Sequence, residues 1–119
     1  MIVINNRLDS HRQMSQHFKA NELECRCGKC SISIISDDLL TRIEVLRRLW
    51  GRAVVITSAY RCQAHNEKIG GKPHSWHVSG HAADLLLPDK DKDLFIKLCS
   101  KVFNYSYVGD GFCHVDIRH

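Results

Sequence analysis

Proline is scarce in this 119-residue chain, with only two, and its seven glycines follow no period, which excludes collagen-like and proline-rich architectures. No window approaches the roughly 20 consecutive apolar residues of a membrane span, so no membrane span is expected. Residues 1–6, MIVINN, lack both the basic flank and the long apolar stretch of a secretion signal, so no signal peptide is expected. There is no internal repeat, low-complexity tract or linker, so residues 1–119 read as a single domain. Nor does one sign of charge dominate: 17 basic against 13 acidic residues leave +4, compatible with polyanionic surroundings without naming one.

What the chain does have is metal-binding chemistry. Eight histidines and six cysteines are many for this length, and both side chains hold transition metals. With no export signal, a disulfide framework is the weaker expectation for Cys25, Cys27, Cys30, Cys62, Cys99 and Cys113.

Ser36 is a good helix N-cap, and Asp37 and Asp38 follow where a helix dipole favours negative charge. Leu39, Ile43, Leu46 and Trp50 recur at helical spacing with Leu40 beside them, and Gly51 is a natural stop. Arg42, Glu44, Arg47 and Arg48 are assigned to the other faces. The β-branched run at 53–57 reads as a buried strand, 63–69 as a short helix and 82–87 as a second strand ending at Pro88. An apolar stripe of Leu94, Phe95, Leu98 and Val102 predicts a helix over 89–102. Two strands at 105–108 and 112–117 are joined by the turn Gly109-Asp110-Gly111. This order predicts an α+β domain, with helices packed against a small antiparallel sheet.

The most informative segment is Ser75-Trp76-His77-Val78-Ser79-Gly80-His81-Ala82-Ala83-Asp84. It places His77 at a loop end and Asp84 in the following strand, with small residues between them that permit close backbone approach. Later, His114-Val115-Asp116 sets two polar side chains two apart in an apolar strand, hence on one face. Two histidines and one aspartate suit a three-ligand zinc site with a fourth position open to water, which such an ion can activate. Buried His and Asp also serve as ordinary hydrogen-bonded core groups, and spacing alone does not choose between the two.

The pattern Ser75-x-His77-x-x-Gly80-x-Ala82-x-Asp84, followed by His114-Val115-Asp116, resembles the zinc D-alanyl-D-alanine carboxypeptidase family. That family includes phage L-alanyl-D-glutamate endopeptidases and VanX-type dipeptidases, with hedgehog signalling domains as distant relatives. Thr57-Ser58-Ala59-Tyr60-Arg61, His65-Asn66, His17-Phe18 and the Cys-rich stretch at 24–30 extend the resemblance from about His17 to the C-terminus. It implies a hedgehog/zinc DD-peptidase-like fold, Zn2+ as cofactor, and His77, Asp84 and His114 as its ligands. It also implies that Arg61 binds substrate, a task suited to its planar, permanently charged fork. Ser58 either assists nearby or caps the following turn, and His74 is a further substrate contact or a solvent-facing loop residue.

Many members of that family carry an acidic residue three positions before the third ligand. Here that position is Gly111. The general base is therefore sought in Asp110, which either swings in from its glycine-flanked turn or bonds its own backbone. Asp116 is the other choice, either as base or as the group orienting His114. A second group, Cys25-x-Cys27-x-x-Cys30 with Cys62, could share a structural metal, form a disulfide such as Cys27 with Cys62, or remain free thiols. Cys99 and Cys113 are expected to pack as small hydrophobes.

The leading function is a zinc peptidase acting on peptidoglycan stem peptides, of D,D-carboxypeptidase or L-Ala-D-Glu endopeptidase type. It would be made in the cytoplasm as a monomer and released to the wall by another protein, as in a phage or prophage. The alternative is a metal-holding binding or structural domain without hydrolysis. A nucleic-acid partner is not expected, because a paired second CxxC, a basic stripe and a groove-reading helix are all missing.

Overall fold

The computed structural model describes residues 1–118. Two antiparallel sheets and four helices make up an α+β domain. Strand β1 (Ile2–Asn5) pairs with β2 (Ile32–Ile35) in a small N-terminal sheet. The larger sheet has the order β3 (Ile56–Ser58), β4 (Ala82–Leu86), β6 (Phe112–Asp116), β5 (Tyr105–Val108). Helices α1 (Ala20–Leu23), α2 (Asp37–Trp50), α3 (Gln63–Lys68) and α4 (Lys92–Val102) complete the fold. No helix among the described residues is long and apolar enough to cross a membrane.

Helix α2 follows the expected boundaries. The Ser36 hydroxyl accepts from the Leu39 N–H at 3.3 Å, and Gly51 closes the helix in the left-handed region. Its face of Leu39, Leu40, Ile43, Leu46 and Trp50 is buried, and Trp50 meets Phe95 of α4 edge to face at 5.1 Å. Glu44, assigned from the sequence to an outer face, is buried instead. Its carboxylate accepts from the His17 backbone N–H at 2.8 Å and lies 2.7 Å from His17 Nδ1, tying the N-terminal segment to the helix.

Elsewhere the boundaries shift. The strand expected at 53–57 forms at 56–58, where Ile56 and Ser58 pair in register with Leu85 and Asp84 of β4. Helix α4 begins at Lys92 rather than at residue 89, after Asp91 turns the chain at φ +59°. Cys99 and Cys113 are fully buried within the core, as small hydrophobes would be. The sheet is sided: Ala83, Leu85, Cys113 and Val115 join the helix-packed core, while the alternate residues of β4 and β6 face the other way.

Candidate metal centre

The antiparallel register sets four residues in one row across the large sheet. Ser58 pairs with Asp84, Asp84 with His114, and His114 with Tyr107. Asp116, two residues beyond His114, shares its face. His77 reaches this row from the loop before β4. That loop turns at Gly80, whose φ of +80° favours glycine, and a Cβ there would lie 2.9 Å from the carbonyl oxygen of Ile34. The Gly80 carbonyl accepts from the Ser36 N–H at 2.9 Å, so the start of α2 anchors the loop.

His77, Asp84 and His114 converge, all buried, with their donor atoms within 4.8 Å of one another. Asp84 Oδ1 lies 3.2 Å from His77 Nε2 and 3.0 Å from His114 Nδ1. The far nitrogens fix what these atoms present. His77 Nδ1 is 2.7 Å from the Ala59 carbonyl oxygen, which can only accept, so Nδ1 carries the proton and Nε2 offers a lone pair in the neutral ring. His114 Nε2 is 2.8 Å from Asp116 Oδ2, which leaves the Nδ1 lone pair of the neutral ring toward Asp84.

Two lone pairs and a carboxylate oxygen at such distances repel unless a proton or a cation stands among them. Ligands at about 2.0–2.1 Å from a tetrahedral ion lie about 3.4 Å apart, so this donor set fits zinc. Burial alone would raise the Asp84 pKa, but where the His114 and His77 rings carry the extra proton, their hydrogen bonds and charges outweigh it and hold the carboxyl far below its usual range. Burial disfavours a charged His114, yet Asp84 and Asp116 together raise its pKa. Asp116, which burial would also raise, is held down by hydrogen bonds from Arg118 and His114.

The remaining sequence candidates occupy distinct places. Arg61 donates from Nη2 to Asp84 Oδ2 at 2.9 Å, from Nε to the Ser58 hydroxyl at 3.1 Å and from Nη1 to Asn66 Oδ1 at 3.5 Å. Ser58 thus steadies Arg61, and Arg61 steadies Asp84. A cleft of about 380 Å³ opens over the centre, lined by Arg61, Lys72, His74, Tyr107, Phe112, Arg118 and the three converging residues, among others. His74 is exposed at this lining. Asp116 is fully buried behind His114, with Oδ2 shared by His114 and Arg118 and Oδ1 taken by the Arg118 N–H and Nε. Asp110 is exposed in the β5–β6 turn and does not line the cleft.

Four contributors were not anticipated for this site. The Ala59 carbonyl sets the His77 tautomer. Asn66, buried, donates to the Lys72 carbonyl at 2.7 Å and shapes the rim. Tyr107 stacks on His114, with ring centroids 4.8 Å apart and 22° between planes. Arg118 holds Asp116 and lies over the Tyr105 ring at 3.8 Å. The i, i+2 spacing of His114 and Asp116, continued by Arg118 just past the end of β6 (which stops at Asp116, not at the expected residue 117), was the readable signal for the last of these; a backbone carbonyl leaves none.

A second group, Cys25, Cys27, Cys30 and Cys62, also comes together, with sulfurs within 4.8 Å of one another. A family model described as Peptidase M15 matches residues 16–116, a span that contains both groups. A search of curated proteins found no match to the chain.

Proposed function

The chain belongs to the peptidase M15 family, and from that premise we propose that it is a zinc-dependent peptidase that cleaves stem peptides of bacterial peptidoglycan. The observation that carries this reading is the convergence of His77 Nε2, His114 Nδ1 and Asp84 Oδ1, each with its other polar atom already committed to a protein partner. These three residues would hold the zinc. When bound, zinc polarises the scissile carbonyl and lowers the pKa of water.

The chain's own residues do the rest. The Ala59 carbonyl and Asp116 keep the two imidazoles in the required tautomers. Arg61 fixes Asp84 and extends the positive lining that Lys72 and Arg118 supply around the cleft. Asp84, the one carboxylate in that lining among the described residues, is taken by its neighbours, so the cleft favours a peptide bearing carboxylates. Its size admits a short peptide segment. Burial, with the Asp84 charge next, raises the Tyr107 pKa, so its phenol stays protonated and can donate to a developing oxyanion. We assign the proton transfer to His74, the imidazole that lines the cleft without a ligand role. The donor set is complete within one chain, as a monomeric enzyme requires. Delivery to the wall by another protein, in a phage or prophage setting, belongs to the same proposal.

A second reading, a metal-holding binding domain without hydrolysis, is favoured by one observation. Gly111 stands where many relatives carry an acid, and neither Asp110 nor Asp116 reaches the cleft lining. Incubation with defined muropeptides and mass analysis of the products separates the two. The peptidase reading expects either released D-Ala or a new D-Glu amino terminus, abolished by chelator and restored by zinc. His77→Ala, Asp84→Ala and His114→Ala should each lose both metal from this centre and cleavage. Zinc-loaded protein that binds the peptides and leaves every bond intact would establish the binding domain instead.

A further inference from the structure

We propose that Cys25, Cys27, Cys30 and Cys62 hold a second zinc ion in a closed tetrathiolate site that fastens the 25–30 loop to the segment carrying Arg61. Four sulfurs around a tetrahedral ion at about 2.3 Å are about 3.8 Å apart. The Cys27 and Cys62 sulfurs stand 3.9 Å apart, and all four lie within 4.8 Å of one another. A disulfide would bring one pair to about 2.05 Å and would leave the other two without a common centre.

The groups around the sulfurs suit thiolates. Cys27 Sγ accepts from the backbone N–H groups of Lys29 and Cys30, both at 3.3 Å. Cys25 Sγ accepts from the Cys62 N–H at 3.3 Å, and Cys62 Sγ from the His65 N–H at 3.4 Å. Cys30 Sγ accepts from the Asn6 side-chain amide at 3.4 Å. Every sulfur therefore receives at least one N–H, the outer contacts that settle charge on a metal-bound thiolate. Gly28, at φ +72°, turns the backbone so that the two N–H groups after it point back at Cys27.

Charge balance agrees. Binding Zn2+ to four thiols expels four protons and leaves a net charge of −2, with no oxidant required. Arg26, Lys29 and Lys68 line the hollow beside the sulfurs and offset that charge. The ligands come from distant stretches: three lie between α1 and β2, while Cys62 caps α3 directly after Arg61. Asn6 joins β1 to the same cluster by donating to the Cys30 carbonyl at 3.0 Å. The site is structural and separate from the cleft, so it stands whether or not the chain hydrolyses peptides.

The full-length chain, purified anaerobically and loaded with zinc alone, should contain two zinc ions per molecule. Replacing zinc by Co2+ should give an intense near-ultraviolet sulfur-to-cobalt charge-transfer band with tetrahedral bands in the visible. His77→Ala/His114→Ala should drop the content from two ions to one and keep that band. Cys27→Ser/Cys30→Ser should drop it to one and lose the band. A wild-type chain with one ion and no thiolate band would overturn the proposal. So would four sulfurs recovered as two disulfides by non-reducing alkylation and mass analysis.

Discussion

His114 Nε2 and Asp116 Oδ2 lie 2.8 Å apart, so a residue two places along the same strand determines which nitrogen of His114 is free. Arg118 in turn holds Asp116 with a contact of 2.6 Å, and the three form a chain from the solvent edge to the candidate metal centre. Asp116→Asn keeps the shape but weakens both contacts. It should lower zinc affinity at this centre by about 10–100-fold, measured by competition with a chromophoric chelator. An unchanged affinity would show that His114 needs no orienting partner.

Arg61 and Asp84 form a buried ion pair, each side chain only 13% and 12% exposed. Arg61→Ala leaves the carboxylate short of a partner, a loss of about 3–5 kcal/mol where nothing compensates. Bound zinc would compensate in part. Denaturant unfolding should therefore show a larger loss in the chelator-treated chain than in the zinc-loaded one; equal losses would dissociate Arg61 from the centre.

Glu44 offers a test of the fold away from the metals. Burial pushes its pKa up, but hydrogen bonds from Ser15 and His17, with the His17 charge, prevail and hold it below the ordinary value of 4.5. A depressed folded pKa adds stability above the unfolded pKa, lost as pH falls through the folded value. Glu44→Gln should cost about 1–3 kcal/mol at neutral pH. The gap from wild type should close below pH 4.5, read by urea unfolding at several pH values. A gap that persists into acid would mean the contact matters by shape and not by charge.

Gly80→Ala tests the loop that delivers His77. The added Cβ meets the Ile34 carbonyl at 2.9 Å on a backbone already at φ +80°. A loss of about 1–3 kcal/mol is expected, together with weaker zinc retention, because the turn next to His77 must move. Thermal unfolding and metal content check both, and full stability would show that β2 yields at this contact.

Proton transfer has its own discriminating pair. His74→Ala should reduce kcat by about 100-fold with little change in zinc content, while Asp110→Ala should leave both near wild type. The reverse result would return the role to the β5–β6 turn.

Much of this was legible in one chain. Helix α2 announced itself by its Ser36 cap, its apolar spacing and Gly51, because all three signals are local. The period-two placement of His114 and Asp116 also held, since a strand enforces it. The β1–β2 sheet did not show, as Ile2 pairs with Ile35 and no short-range pattern records so distant a partner. Glu44 misled for the same reason: its burial is decided by His17, which helical spacing does not see. The boundaries near residues 53 and 89 moved because strand pairing and a turn at Asp91 overrode local propensity.

Asp84 and His114 sit opposite each other on β4 and β6, the two interior strands of the larger sheet. A platform clamped on both sides cannot hinge, so the reactive floor should be alike with and without peptide. Preference among peptides must then arise in the walls, chiefly the stretch from Gly70 to Trp76 that borders the cleft. Exchanging that stretch for another of equal length that keeps His74 is the economical route to redirecting which peptide is accepted while leaving the floor untouched.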